Sequence, residues 1–320
     1  MADWEKRVWW PKPSSHIRDS LSTPIIHHPL SIINRHGFTL IELLVVISVL
    51  ALLMAILMPT LQRVRNQARA VVCQANLRQW GSFLAMYVNE NHGRLPEPPT
   101  TDKDDPRFQE WWGWGWGRWA WGSGWDRRAY DEVKGILCCP MAAKPANPTG
   151  ARGRGPGGTF AAWGPFWPEG QEPVPEWNPY GSYGVNDCVA HRRLSDNDDC
   201  LGARVWRTAD VSGTDRIPVY FDHSSSMVDA VVWGEVEVEP PACDAIPAAL
   251  EPTAYWVPCI NRHDGGINAV FLDWSVRKVG LKELWMLKWN RQYNTSGRWT
   301  KAGGVQPEDW PQWMRGFKDY

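Results

Sequence analysis

The sequence predicts an α+β protein in which one long N-terminal helix is followed by a small antiparallel β-sheet with long loops. Three observations carry this. Phe38–Met58 is a run of 21 residues, apolar except for Thr39, Glu42 and Ser48. A helical period of apolar residues then continues to about residue 91, and after residue 180 the pattern changes to short β-branched and aromatic runs.

The helix is justified first. At about 1.5 Å per residue, residues 38–58 span a ~30 Å hydrocarbon core. Glu42 breaks the apolar run, and a charge at mid-span costs about 2.5–3.5 kcal/mol, so it is expected to have a partner and a task. A plain anchor with the acid at the water interface is the simpler alternative. Beyond Pro59, the residues Leu61, Val64, Ala68, Val71, Val72, Ala75, Leu77, Phe83, Leu84 and Tyr87 fall near a 3.6-residue period. Residues 59–92 are therefore expected as an amphipathic half with an Arg- and Gln-rich outer face. Pro59 lacks a backbone N–H and is expected to kink the helix rather than end it. Asn91-His92-Gly93 is a stop signal, with Pro96, Pro98 and Pro99 after it.

The residues around Glu42 resemble the processing and assembly signal of type IV prepilins and type II secretion pseudopilins. Gly37 precedes Phe38, and Thr39-Leu40-Ile41-Glu42-Leu43-Leu44-Val45-Val46 follows. The resemblance implies cleavage after Gly37 by a prepilin peptidase and N-methylation of Phe38. Glu42 then stands fifth in the mature chain and Pro59 twenty-second. Gly37 has no Cβ to obstruct a peptidase. The new α-amino group at Phe38 would be neutralised by Glu42 of a neighbouring subunit, which pairs two costly charges and sets the register of assembly. Residues 1–37 are the expected leader. They are basic, have no apolar core of their own, and do not look like a secretory signal peptide. Flanking charge gives an ambiguous orientation, because Arg63, Arg65, Arg69 and Arg78 crowd the far side. The processing signal implies a single-pass protein of the inner membrane, with a cytoplasmic N-terminus and an outer C-terminal domain.

Composition bounds the rest. A net charge of −1 and pI near 6.7 exclude a nucleic-acid binder by bulk charge. The 23 Trp, with 28 Gly and 26 Pro, predict a loop-rich domain held by aromatic clusters. Residues 93–180 are expected to be irregular. Trp111–Trp125 alternates Trp with Gly and is read either as indoles packed on one another or as exposed rings that stack on sugars. Residues 150–158 are a flexible basic loop rather than a phosphate loop, since no strand precedes them and no Lys-Ser/Thr follows. No C-x-x-C pair occurs among the seven cysteines, which argues against a zinc ribbon. Outside the cytoplasm disulfides are allowed. Cys188 with Cys200 and Cys243 with Cys259 are the sequence-local candidates, and the odd count leaves at least one free thiol, with Cys73 a candidate.

Residues 181–320 are the β-rich part. Ile217–Phe221 and Val228–Trp233 are expected strands, and Ile267–Leu272 with Val276–Val279 a hairpin around Asp273-Trp274. Residues 261–273, from Asn261-Arg262-His263 to Asp273, resemble the C-terminal His-x9-Asp-Gly signature of pilin-like proteins common in planctomycetes. Leu137-Cys138-Cys139-Pro140 and residues 181–186 (GSYGVN) are similar to segments that recur in that group. Trp274 stands where the signature has Gly. A type I′ turn needs φ > 0 twice, so the turn is expected to be longer or of another type. His263 and Asp273, with Asp264 and Asp222-His223, are weighed as a cation site against a simpler role, hydrogen bonds that cap the two ends of one strand. The simpler role is favoured, so no metal or cofactor is expected. Ser224, His223 and Asp222 are adjacent in sequence, which is the wrong geometry for a triad, and no HExxH helix occurs; no enzyme is predicted. Leu281–Trp289 is expected to form a short amphipathic helix, with Trp299, Trp310 and Trp313 tucked onto the domain.

The sequence thus predicts a structural subunit of a type II secretion pseudopilus or type IV pilus-like filament. Its expected partners are the prepilin peptidase, other pilin-like subunits, an inner-membrane platform and lipid. The alternative from another class is a membrane-anchored surface protein that uses the signal for export and binds glycans through Trp111–Trp125. A membrane-tethered enzyme is a weaker third.

Overall fold

The first element is the helix α1, Leu40–Glu90, 51 residues that run without a break through Pro59. It was obtained, with the rest of the chain, in a computed structural model that describes residues 38–96, 134–144, 157–163, 180–186, 188–189, 204–224, 238–244 and 258–320. The expected leader with Gly37, Trp111–Trp125, Cys200 and the strand Val228–Trp233 lie outside the described residues. Two compact units divide between Ala55 and Ile56. In the first, the helix residues are exposed and, apart from Glu42 and Ser48, apolar; an 18-residue window of α1 reaches a mean hydropathy of 3.0 with none of it buried. Length and apolarity suit one membrane crossing.

The second unit holds the remainder of α1 and a four-stranded antiparallel sheet in the order β1-β2-β3-β4. The strands are β1 (Tyr183–Val185), β2 (Pro218–Asp222), β3 (Gly266–Phe271) and β4 (Val276–Gly280). In register, Tyr183 lies opposite Asp222, Tyr220 opposite Val270, and Ala269 opposite Arg277. Alternation along each strand sends Tyr183, Tyr220, Asp222, Asn268 and Val270 to the helix side. Val219, Phe221, Ile267, Ala269 and Phe271 go to the other side. All of these are buried, which is why β2 and β3 read as almost continuous apolar runs.

The helix meets the sheet at close range. A Cβ on Gly81 would lie 2.8 Å from Val270 Cγ2. The Trp80 ring packs 6.2 Å from Tyr220, Gln74 Nε2 donates to Asn268 Oδ1 at 3.0 Å, and Asn268 Nδ2 donates to the Ala70 carbonyl at 3.3 Å. The buried helix face is Cys73, Asn76, Leu77, Trp80, Gly81, Leu84 and Val88. This corrects part of the expected apolar face. Leu77 and Leu84 are buried and Tyr87 partly so, but Leu61, Val64, Val71, Val72 and Phe83 are exposed. Among the described residues the sheet meets the helix from Ala70 onward and its fully buried face begins at Cys73, rotated from the one that periodicity suggests. The helix ends as expected: His92 and Gly93 take positive φ (56° and 80°), and Gly93 N–H returns to the Val88 carbonyl at 2.8 Å. That six-to-one bond closes a Schellman-type stop.

The opposite sheet face is covered by the C-terminal segment. Trp289 packs edge-on to Phe221 at 5.1 Å, and Trp285 and Trp299 flank Trp310 at 5.2 and 5.3 Å. The expected short helix is a 3-10 helix, Leu281–Met286, and Trp299 and Trp310 are buried with Trp313 partly so. Here the aromatic-cluster expectation holds. The β3–β4 turn is also of the predicted longer kind. Trp274 N–H bonds to the Phe271 carbonyl at 2.8 Å, Phe271 N–H bonds to the Ser275 carbonyl at 2.9 Å, and Trp274 takes φ 67°. That is a three-residue loop with its left-handed residue in the bulge position.

Candidate functional site: the helix start and a buried Cys-Asp-His cluster

Two places bear on function. The first is the start of α1. Thr39 N–H and Oγ1–H donate to Glu42 Oε2 at 2.8 and 2.7 Å, while Glu42 N–H donates to Thr39 Oγ1 at 3.3 Å. This is a capping box: a Thr and a Glu three residues apart satisfy two donors that the first helical turn leaves unpaired. The Thr-x-x-Glu spacing was visible in the sequence, but the charge of Glu42 drew the reading toward a partner on another chain. Glu42 Oε2 therefore already serves its own helix, beside Phe38, whose side chain is exposed. Glu42 and Phe38 fall on one end of one element, as expected; Pro59 lies inside the helix without ending it.

The second place is inside the domain. Cys73 comes from α1, Cys139 from the loop before β1, Asp222 from the end of β2, and His263 from the turn into β3. All four are buried, and one donor atom from each lies within 4.8 Å of the others. Asp222 Oδ2 lies 3.0 Å from His263 Nε2 and accepts Asn268 N–H at 2.8 Å. Its Oδ1 accepts from Arg262 Nη1 at 3.1 Å. Cys73 Sγ sits 3.6 Å from both carboxylate oxygens, and Cys139 Sγ sits 3.4 Å from His263 Nε2. Tyr183 O–H donates to Cys73 Sγ at 3.4 Å, and Met141 N–H to Cys139 Sγ at 3.5 Å.

Local sequence explains the placing. Ser182 Oγ accepts the Cys139 N–H at 2.6 Å, and Ala142 N–H closes a turn on the Cys139 carbonyl at 2.8 Å. His263 is held by a turn with two left-handed residues, Asp264 and Gly265, whose Gly265 N–H bonds to Asn261 Oδ1 at 2.6 Å. Arg262 is buried beside it and uses all five donors: on Thr159 O, Gly158 O, Ser182 O, His223 O and Asp222 Oδ1.

Burial pushes the Cys139 thiol up, but the Cys73 and His263 hydrogen bonds pull it below its usual value, to about 7. Burial, reinforced by Cys139 and Asp222, holds the Cys73 thiol well above its usual range. For His263, burial acts downward, yet Asp222 and Cys139 raise it to about 9. Asp222 is held below its usual value, because the His263 and Arg262 contacts outweigh its burial. His263 Nδ1 is buried without a hydrogen-bond partner among the described residues.

The alternative weighed against strand capping, a cation site shared by His263 and Asp273, does not fit their positions. Asp273 is exposed in the β3–β4 turn, where its Oδ1 accepts Ser275 N–H and Oγ–H at 2.9 and 2.6 Å. The two residues bracket the six-residue strand β3, about 20 Å of extended chain, and share no ion. Asp273 has the simpler capping role at the far end of β3; at its start the His263 backbone N–H bonds to the Gly266 carbonyl at 2.9 Å, while the His263 side chain turns to Asp222 and Cys139. Asp264 is exposed and stands apart from the cluster, while Asp222, one of the residues weighed, is at its centre. The Cys243–Cys259 pair is likewise corrected: Cys243 is exposed, Cys259 is buried, and both thiols are free. Cys73 is free, as anticipated. Sequence reasoning missed Cys139. The three segments read as recurring motifs, around Cys139, Tyr183 and His263, converge on this one cluster, and that convergence was the available signal.

Comparison with known proteins bears on the first place. Residues 33–58 match the family model of the prokaryotic N-terminal methylation motif. The chain is 44% identical over 59 residues to the type IV wide pilus major component PilA4 of Thermus thermophilus, a match covering 18% of this chain and 45% of that protein. The matched stretch thus spans less than half the length of that relative. No solved structure matches. With its methylation motif, its apolar helix of membrane-spanning length and its small antiparallel sheet, this chain is a type IV prepilin- or pseudopilin-like protein with an α+β, pilin-like fold.

Proposed function

We propose that the chain is a structural subunit of a type IV pilus-like or type II secretion pseudopilus filament, and not an enzyme. The match of residues 33–58 to the N-terminal methylation motif carries this reading. A prepilin peptidase cuts after Gly37 on the cytoplasmic side of the inner membrane, and Phe38 becomes the methylated N-terminus. The single-pass helix remains in the bilayer, with the C-terminal domain outside, until an inner-membrane platform feeds the subunit into the filament. Exposed apolar side chains support packing against other helices. They continue past the membrane-length segment to Leu61, Val64, Val71 and Val72, which a bilayer ~30 Å thick would not cover. The burial of Cys139 and His263 supports a non-catalytic role, since among the described residues their side chains are closed to a substrate.

In this account Glu42 has two successive duties. It first caps its own helix through Thr39, and in the filament it neutralises the Phe38 amine of the next subunit. Replacement of Glu42 by Ala is expected to leave the membrane level of the protein unchanged and to cut its recovery in sheared filaments at least tenfold, about 1.4 kcal/mol of assembly free energy per tenfold. Thr39→Val removes only the intrachain partner and is expected to assemble. If Thr39→Val fails as Glu42→Ala does, Glu42 is a helix cap only; if both assemble, the assembly role is wrong.

A further inference from the structure

We propose that Cys73, Cys139, Asp222 and His263 form a structural zinc site that ties the helix, the loop before β1, and strands β2 and β3 into one domain. The inference is independent of N-terminal processing and rests on the geometry of the four donors.

Zinc binds sulfur at about 2.3 Å and imidazole nitrogen or carboxylate oxygen at about 2.0–2.2 Å, which places tetrahedral neighbours roughly 3.3–3.8 Å apart. Here Cys73 Sγ lies 3.6 Å from the Asp222 oxygens, Cys139 Sγ 3.4 Å from His263 Nε2, and His263 Nε2 3.0 Å from Asp222 Oδ2. All four donors fall within 4.8 Å of each other, so small shifts, outward for the closest pair and inward for the widest, bring them to tetrahedral spacing around one ion. Two sulfurs, one imidazole and one carboxylate are a borderline-soft set that suits zinc over calcium or magnesium.

The surroundings are those of a ligand set. Asp222 is oriented by Arg262 and by the Asn268 backbone N–H, Cys73 Sγ accepts from Tyr183, and Cys139 Sγ accepts from the Met141 backbone N–H. Such outer contacts fix ligand direction and stabilise thiolates. Charge also closes: two thiolates and the Asp222 carboxylate balance a dication and the Arg262 guanidinium, in a place where net charge is costly. A metal on Nε2 keeps the His263 ring neutral, so its Nδ1, without a hydrogen-bond partner among the described residues, carries an ordinary N–H and not half of an imidazolium. Since none of the four side chains is accessible, the ion enters as the domain folds.

The test uses the untagged full-length chain, extracted from membranes in detergent. Elemental analysis is expected to give about one zinc per chain, and Cys73 and Cys139 should resist alkylation until denaturant and chelator are added together. Refolding with cobalt in place of zinc should give the intense visible bands of a tetrahedral ion with a thiolate charge-transfer band. Cys139→Ser and His263→Ala are expected to lose the metal, and Cys243→Ser, at the surface, to keep it. Because a variant can fail to fold, the unmodified chain's zinc content and cobalt spectrum decide alone. A chain without zinc, whether its Cys73 and Cys139 are joined in a disulfide or recovered as free thiols, overturns the proposal. So does zinc that persists in folded Cys139→Ser and His263→Ala.

Discussion

Replacing Arg262 tests how the domain is held together. Its side chain is fully buried and its five N–H groups meet five acceptors. These acceptors lie on the 157–159 segment, just before β1 and at the end of β2, so one side chain fastens the 157–159 segment to the paired ends of β1 and β2. Arg262→Ala breaks the buried pair with Asp222, for which about 3–5 kcal/mol is the usual loss. It also takes a donor from four backbone carbonyls, of which Ser182 O keeps the His223 N–H at 2.9 Å and Gly158 O the Ala161 N–H at 3.4 Å; each carbonyl left unpaired away from water costs about 1–3 kcal/mol. These terms are not additive; water entering the vacated volume recovers part of the second, and a net loss of about 4 kcal/mol is expected. With a urea slope of about 2 kcal/mol/M, the midpoint falls by about 2 M, a large share of a domain stability of about 5–15 kcal/mol. The assay is urea unfolding of the detergent-solubilised chain, followed by Trp fluorescence. Arg262→Lys keeps the charge but offers three donors for five acceptors, and is expected to lose about half as much. A midpoint loss under about 0.5 M for Arg262→Ala would refute the reasoning, since the five bonds would then be replaceable by water.

Two further changes probe the packing and the turn. Gly81→Leu drives a side chain into Val270 and is expected to cost about 2 kcal/mol by overpacking, read as a lower urea midpoint. Val270→Ala in the same chain should recover most of it, and no recovery would contradict the close approach of helix and β3. Asp273→Ala removes two acceptor contacts at an exposed turn and should cost no more than about 1 kcal/mol, with the metal content unchanged. A loss of metal on that change would restore the His263–Asp273 ion site that the structure argues against.

Much of the fold was legible in the sequence because its causes are local. The helix bounds follow from an apolar run, a 3.6-residue period and a stop at Asn91-His92-Gly93. The strands β2, β3 and β4 follow from β-branched runs, and Trp274 in place of Gly correctly predicted a non-I′ turn. The buried face of α1 was less legible. Cys73, Asn76 and Trp80 are chosen by what the rest of the domain presents to them, such as the Ile136 and Cys138 carbonyls of the loop before β1, which accept from Trp80 Nε1 and Asn76 Nδ2. The Cys-Asp-His cluster was illegible for the same reason. Spacing rules for metal ligands look for close pairs, whereas Cys73 and Asp222 are 149 residues apart, and Cys139 and His263 are 124 apart. Proximity arises from α1 lying against the sheet and from the loop before β1 folding back beside the turn into β3. The capping box of Thr39 and Glu42 is the opposite case: a local pattern in plain view, passed over because a charge in an apolar run suggested a distant partner.

The central claim is that this chain is processed and assembled as a filament subunit. The most direct test is the intact mass and N-terminal sequence of the protein recovered from membranes that contain its prepilin peptidase. The account predicts a mature chain that begins at Phe38 and carries one N-methyl group. A chain that keeps residues 1–37 contradicts it, because Glu42 would then face no free Phe38 amine on a neighbouring subunit.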